Sequence, residues 1–161
     1  MSACAPVFSQ RGAPPHVVDM LALVNDRLCA SNAPARAVAR CFGIPAEVLE
    51  DGTVVVTEPD HECVQAVEVS PVAGSDQTEL VWLRLTPAGE LTVGDLADVF
   101  GPYDVGLRQD WDDPTDVLFD VERPGDSYAC LVVARLGMGD IPVDETAAVR
   151  TLMFRRDAVA A

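Results

Sequence analysis

Leu91-Thr92-Val93-Gly94-Asp95-Leu96-Ala97-Asp98-Val99-Phe100-Gly101-Pro102 is the stretch from which the fold is most directly read. Thr92 stands where a helix N-cap is needed, and Asp95, three residues on, can return a hydrogen bond to the backbone of the cap residue. Val93, Leu96, Val99 and Phe100 recur at helical spacing, so the helix has one apolar face to bury. Gly101 and Pro102 end it, because glycine accepts the left-handed cap and proline cannot continue a helix.

Downstream, the period changes from helix to strand. Val117, Phe119 and Val121 alternate with Leu118, Asp120 and Glu122, as a strand with one buried face does. Residues 128–136 and 148–156 form two further strand candidates, and Arg123-Pro124-Gly125-Asp126 suits a hairpin. The segment 137–145 has no period to assign it. Upstream, 53–58, 63–69 and 79–86 are Val-rich strand candidates opened by the turn pair Asp51-Gly52, and 86–90 is a break before the helix at 92. An earlier helix begins just after Pro14-Pro15, with Val17, Met20, Leu21, Val24 and Leu28 as its stripe. Ser31-Asn32-Ala33-Pro34 ends it and starts a second helix carrying Val38, Ala39 and Phe42, which closes at Gly43. Residues 1–15 are small, Pro-containing and aperiodic, and read as a flexible arm.

The two halves share an order. A helix ending in Phe-Gly (Phe42-Gly43, then Phe100-Gly101) is followed by an acidic connection and three strands. A three-stranded ribbon cannot bury a helix stripe alone, so two such units, 16–87 and 91–157, are expected to share one core. The expected fold is a single α+β domain over 1–161. Its antiparallel sheet comes from two pseudo-repeated helix-plus-three-strand units, with the helices packed on one face.

Charge is the outlying property. The 161 residues include 26 Asp and Glu against 11 basic residues, for a net charge of −15, and every one of the 11 is arginine. Without lysine there is no Schiff-base or phosphate-loop lysine. The deficit of positive charge opposes binding to nucleic acid or to an anionic membrane, and favours a basic protein partner. The same composition also suits a high-GC genome or a salty cytoplasm. Five scattered cysteines, none in a C-x-x-C pair, read as small buried hydrophobes in a reducing compartment. With no basic n-region leading into a sustained apolar run, the expected location is cytoplasmic.

The helix-then-strands order, with its Thr-x-x-x-Leu-x-x-x-Phe-Gly-Pro element at Thr92, Leu96, Phe100, Gly101 and Pro102, resembles the tandem helix-plus-antiparallel-sheet units of the beta-lactamase inhibitor proteins and of related small outer-membrane assembly lipoproteins. It covers roughly residues 34–156. The resemblance implies a protein-binding surface rather than an active site.

The densest polar cluster is Tyr103-Asp104-Val105-Gly106-Leu107-Arg108-Gln109-Asp110-Trp111-Asp112-Asp113-Pro114-Thr115-Asp116. From Asp104 to Asp126 eight acids face two arginines, a local charge of −6. It is no calcium loop: counting from Asp110, the sixth position is not Gly and the twelfth is Val121. Aromatic rings beside carboxylates do suit an interface with a basic protein, so Tyr103, Asp104, Asp110, Trp111, Asp112, Asp113 and Asp116 are the candidate partner-binding residues. A solvated loop is the plain alternative. Residues 37–49 have helix-turn-helix spacing around Gly43, but Glu47, Glu50 and Asp51 would face a phosphate backbone. His61, between Asp60 and Glu62, would need distant partners to hold a metal, and Cys63 beside Glu62 lacks an activating base.

The expectation is a non-catalytic acidic protein-binding module of immunity or inhibitor type, with no cofactor and no metal, covering a basic partner. Three alternatives stand behind it: an acidic secretion-type chaperone, for which a homodimer is expected; a metal-dependent enzyme using Asp112, Asp113 and His61; and a helix-turn-helix DNA-binding protein.

Overall fold

The structure is a computed structural model that describes residues 15–86, 91–122, 125–138 and 141–158. Residues 1–14 of the expected arm at 1–15 and 87–90 of the break at 86–90 lie outside the described residues, as do Arg123 and Pro124 of the expected hairpin, while Pro15 opens the first helix. Helix α1 (Pro15–Cys29) is followed by the short α2 (Ala35–Ala39), and then by strands β1 (Glu47–Val48), β2 (Val54–Val56), β3 (Val64–Pro71) and β4 (Thr78–Leu85). Helix α3 (Val93–Phe100) leads into β5 (Asp104–Val105), β6 (Pro114–Val121), β7 (Tyr128–Met138) and β8 (Thr151–Ala158). All eight strands form one antiparallel sheet in the order β1-β2-β3-β4-β8-β7-β6-β5. The chain meanders inward from the β1 edge to β4, passes through α3 to the opposite edge, and meanders back until β8 pairs with β4.

Alternation along the strands is strict enough to assign the buried face. Val54, Val56, Val67, Val69, Val81 and Leu83 from the first meander, and Val117, Phe119, Val132, Leu152 and Phe154 from the second, are buried. They form one cluster with the α1 stripe, Val17, Met20, Leu21, Val24 and Leu28, and with Val93 and Leu96 of α3. α1 lies against β7, α2 against β2 and β3, and α3 against β6.

Helix α3 forms as its residues dictate. The Thr92 hydroxyl accepts from the Asp95 N–H (3.2 Å), and the Asp95 carboxylate accepts from the Thr92 N–H (2.9 Å), so two end donors are satisfied reciprocally. The next donors, the Val93 and Gly94 N–H groups, reach the carbonyls of Ala147 (3.0 Å) and Glu145 (2.9 Å). This gives 144–148 the packing role its sequence did not announce. Gly94 is needed for it, since a Cβ there would meet the Glu145 oxygen at 2.9 Å. Thr92→Ala should lower unfolding free energy by about 1 kcal/mol in urea titrations; no measurable change would mean the 144–148 segment holds the helix end without the cap.

Three local expectations are corrected. The second helix stops at Ala39, short of Gly43, and Phe42 is buried from the turn that follows. The would-be recognition helix after Gly43 is instead strand β1, because its backbone finds β2: the Ala46 N–H donates to Val55 O and the Leu49 N–H to Thr53 O, both at 2.8 Å. Thus Asp51-Gly52 turns between two strands, with Gly52 at φ 90° and the Asp51 carboxylate accepting from the Thr53 N–H at 2.9 Å. The last strand runs Thr151–Ala158 rather than 148–156. Both edge strands are two residues long, one of the ways sheets blunt their edges.

Candidate functional site

The acidic loop joins β5 to β6 at one edge of the sheet. Tyr103, just before β5, turns its ring onto Phe119 (centroids 5.7 Å apart) and so anchors the loop to the core. The loop is then ordered by its own polar groups. The Gly106 N–H donates to Asp116 O (2.8 Å), and one Asp113 carboxylate oxygen accepts from the N–H groups of Gln109 (3.1 Å) and Asp110 (2.9 Å). The Arg108 guanidinium donates to Trp111 O at 2.7 Å. Asp116 is held across the sheet by a two-pronged contact with Arg135 (2.9 and 3.1 Å), and that hydrogen-bonded carboxylate raises the arginine's pKa.

The seven candidate residues therefore divide. Asp104, Asp110, Asp112 and Trp111 face outward, with Trp111 74% exposed. Asp113 and Asp116 are engaged within the molecule, and Tyr103 packs inward. Two residues that composition did not single out join the outward group: Leu107 is fully exposed (100%) and Val105 half so (50%).

The sheet face opposite the core carries a second feature. One residue from each strand lies in register along a row that crosses the whole sheet, Glu47, Val55, Glu68, Trp82, Met153, Val133, Leu118 and Asp104. The charged members are exposed, while Val55, Trp82, Met153, Val133 and Leu118 are half-buried. Beside Trp82 and Met153 a shallow pocket of about 100 Å³ is completed by Val133, Arg135 and Thr151, room for one aliphatic side chain. Arg84 lies over the Trp82 ring at 5.2 Å, and Arg155 pairs with Asp157 at 3.0 Å. Among the described residues Arg135 and Arg155 of this face are paired with carboxylates, Arg84 meets only the Trp82 ring, and the remaining charge is mainly acidic: Glu47, Glu68, Asp104 and Asp120. Alternation marks these residues one strand at a time. Their assembly into one surface follows only from strand order.

The chemistry-bearing alternatives are not brought together. His61 lies in the β2–β3 connection, whereas Asp112 and Asp113 lie in the β5–β6 connection. Four interstrand spacings of about 4.8 Å separate β3 from β6, far beyond what ligands sharing one ion at about 2–2.6 Å permit. Among the described residues no group of three or more His, Cys, Asp or Glu could hold a metal ion. Burial pushes the thiols of Cys41, Cys63 and Cys130 up, Glu62 adding to the effect at Cys63 and the neighbouring Cys29 thiol at Cys130. None is an activated nucleophile. Among the described residues no helix is long and apolar enough to cross a membrane.

Comparison of the chain with protein-family models, with curated proteins and with solved structures returns no match.

Proposed function

We propose that this protein is a non-catalytic binding module of immunity or inhibitor type, which covers a basic protein surface with the outer face of its sheet and with the acidic loop at the β5 edge. The observation that carries the reading is the row running from Glu47 through Trp82, Met153, Val133 and Leu118 to Asp104: an aromatic and aliphatic centre, rimmed by carboxylates, on a rigid sheet. Interfaces concentrate their energy in such buried-centre anchors and use the charged rim for orientation and encounter rate. The molecule's net charge of −15 speaks for a cationic partner.

In this reading the chain is two helix-plus-strand units joined where β4 meets β8, with all three helices on the core side. The mirrored strand order and the common core support that view. The side left free of helices is then the one offered to the partner.

The test begins with affinity purification from the native cell, followed by titration of the recovered partner against variants. Trp82→Asp should weaken binding by about 100-fold or more, as loss of a central anchor does. Changing the outward carboxylates Asp104, Asp110 and Asp112 together to Asn should lower the association rate and its salt dependence. Folding should survive, since none of these side chains is in the core. A partner that binds all variants equally would reject the surface.

A further inference from the structure

We infer that the tip of the acidic loop, residues 105–113, docks into the groove beside α2 and β1 of a second copy of this chain, so that the protein associates head to tail. The inference rests on the reading above, in which the loop is a docking element, and it names a surface carrying two exposed guanidinium groups beside apolar side chains that fits it.

The groove consists of two adjoining cavities that share Arg36. One, of about 400 Å³, is lined by Arg36, Arg40, Gly43, Ile44, Pro45 and Asp60. The other, of about 380 Å³, lies between Arg36, Val48, Val54, Pro71 and Asp76. Arg36 and Arg40 stand four residues apart at α2, both exposed, and neither forms an ion pair with any described residue. Two like charges so spaced repel along a helix, and an anion docked between them relieves that repulsion. Ile44, 85% exposed, and the half-exposed Val48 add an apolar floor.

The loop supplies the complement. Trp111 and Leu107 project from it between the exposed carboxylates of Asp110 and Asp112, and the Arg108 and Asp113 hydrogen bonds hold its shape before any contact is made. Such preorganisation lowers the entropic cost of docking. An indole between two guanidinium groups gains stacking as well as charge pairing with the flanking carboxylates.

The occupant is another molecule because the geometry forbids self-capture. β1 and β5 are the two outermost strands, so groove and loop are about seven spacings, or roughly 34 Å, apart in one copy. A contact between unlike patches at opposite edges is heterologous and propagates as a chain or closes as a ring. The net charge sets the salt dependence. Whole-molecule repulsion acts over tens of ångströms and dominates at about 10 mM salt, where the screening length is about 30 Å; at about 150 mM it is screened while the close Arg–carboxylate contacts persist; at about 1 M both are lost. A single loop in a groove makes a small interface, so the expected Kd is on the order of 0.1 mM.

Sedimentation of the full chain across concentrations up to about 1 mM tests this at the three salt levels. The expected result is a weight-average mass that rises above 17.2 kDa with concentration, most steeply at intermediate salt. Trp111→Ala, and separately Arg36→Glu with Arg40→Glu, should each weaken association by about tenfold or more. Mixed one to one, the two variants should form dimers that grow no further, since one retains the loop and the other the groove. A monomer at every concentration, or association that both variants keep, would overturn the proposal; the latter would point to the sheet faces. The arginine variant leaves loop and sheet face intact. Its unchanged affinity for a basic partner would therefore leave the proposed function standing even where self-association fails.

Discussion

Phe119→Ala is expected to cost about 3–5 kcal/mol of stability, a large part of the roughly 5–15 kcal/mol a domain of this kind holds. Phe119 is fully buried on β6, and its ring meets Phe100 at 5.9 Å and Tyr103 at 5.7 Å, while Phe100 in turn meets Phe154 at 5.9 Å on β8. Removing it empties the point where α3, β6 and the root of the acidic loop converge, and a close-packed interior refills such a hole only in part. Phe119→Leu keeps most of the volume and should cost about 1.5 kcal/mol or less. The two are separated by urea unfolding midpoints. A second readout ties the core to the site: with Tyr103 unseated, the fluorescence anisotropy of Trp111 should fall in the alanine variant before any unfolding. A loss below about 1.5 kcal/mol in that variant would show that neighbouring rings close the gap.

Arg156→Ala is expected to cost about 2–4 kcal/mol, with a fall in thermal midpoint of about 5–15 °C. Arg156 is only 7% exposed, and its guanidinium donates to Leu28 O and Ala30 O, both at 2.7 Å. These carbonyls belong to the end of α1, where the last turn leaves acceptors without helix partners and a cation meets the negative end of the helix dipole. The guanidinium also lies 3.4 Å from the centre of the Tyr128 ring. Alanine would leave the buried carbonyls unsatisfied and uncover that ring. Arg156→Lys retains the charge but lacks the planar fork that serves two carbonyls at once, so about 1–2 kcal/mol of the loss should remain. An alanine variant within about 0.5 kcal/mol of the parent in thermal unfolding would contradict this account of how α1 is tied to β8.

How much of this was legible beforehand depended on the range of the interactions. The α3 cap was readable because Thr92 and Asp95 are three residues apart and their reciprocal bonds form within one turn. The α1 stripe and the six longer strands were readable because burial on one side imposes a period that survives in composition. Strands β1 and β5 were not, since two residues cannot show a period. The apolar positions at Ile44, Val48 and Leu49 fit a helix equally well until β2 supplied backbone partners. Residues 141–147 carry no periodic signal because they pack from an irregular backbone: the Glu145 and Ala147 carbonyls serve the N-terminus of α3, while Ile141, Val143 and Ala147 reach the core without a repeat.

The acidic loop was visible as a run of carboxylates with Trp111, and no tertiary fact was needed to find it. Which carboxylates remain available was decided elsewhere. Asp116 meets Arg135, 19 residues away, through the β6–β7 register, and Tyr103 turns inward because Phe119 lies beneath it. Local chemistry was thus enough for the element types, their caps and the acidity, since those depend on neighbours within a few residues. Strand order alone brought Trp82, Met153, Val133 and Leu118 into one row and set the Arg36–Arg40 groove and the Trp111 loop at opposite edges. Pairing between distant strands is chosen by shared burial and backbone hydrogen bonding, and these act between segments whose separation along the chain leaves no periodic trace.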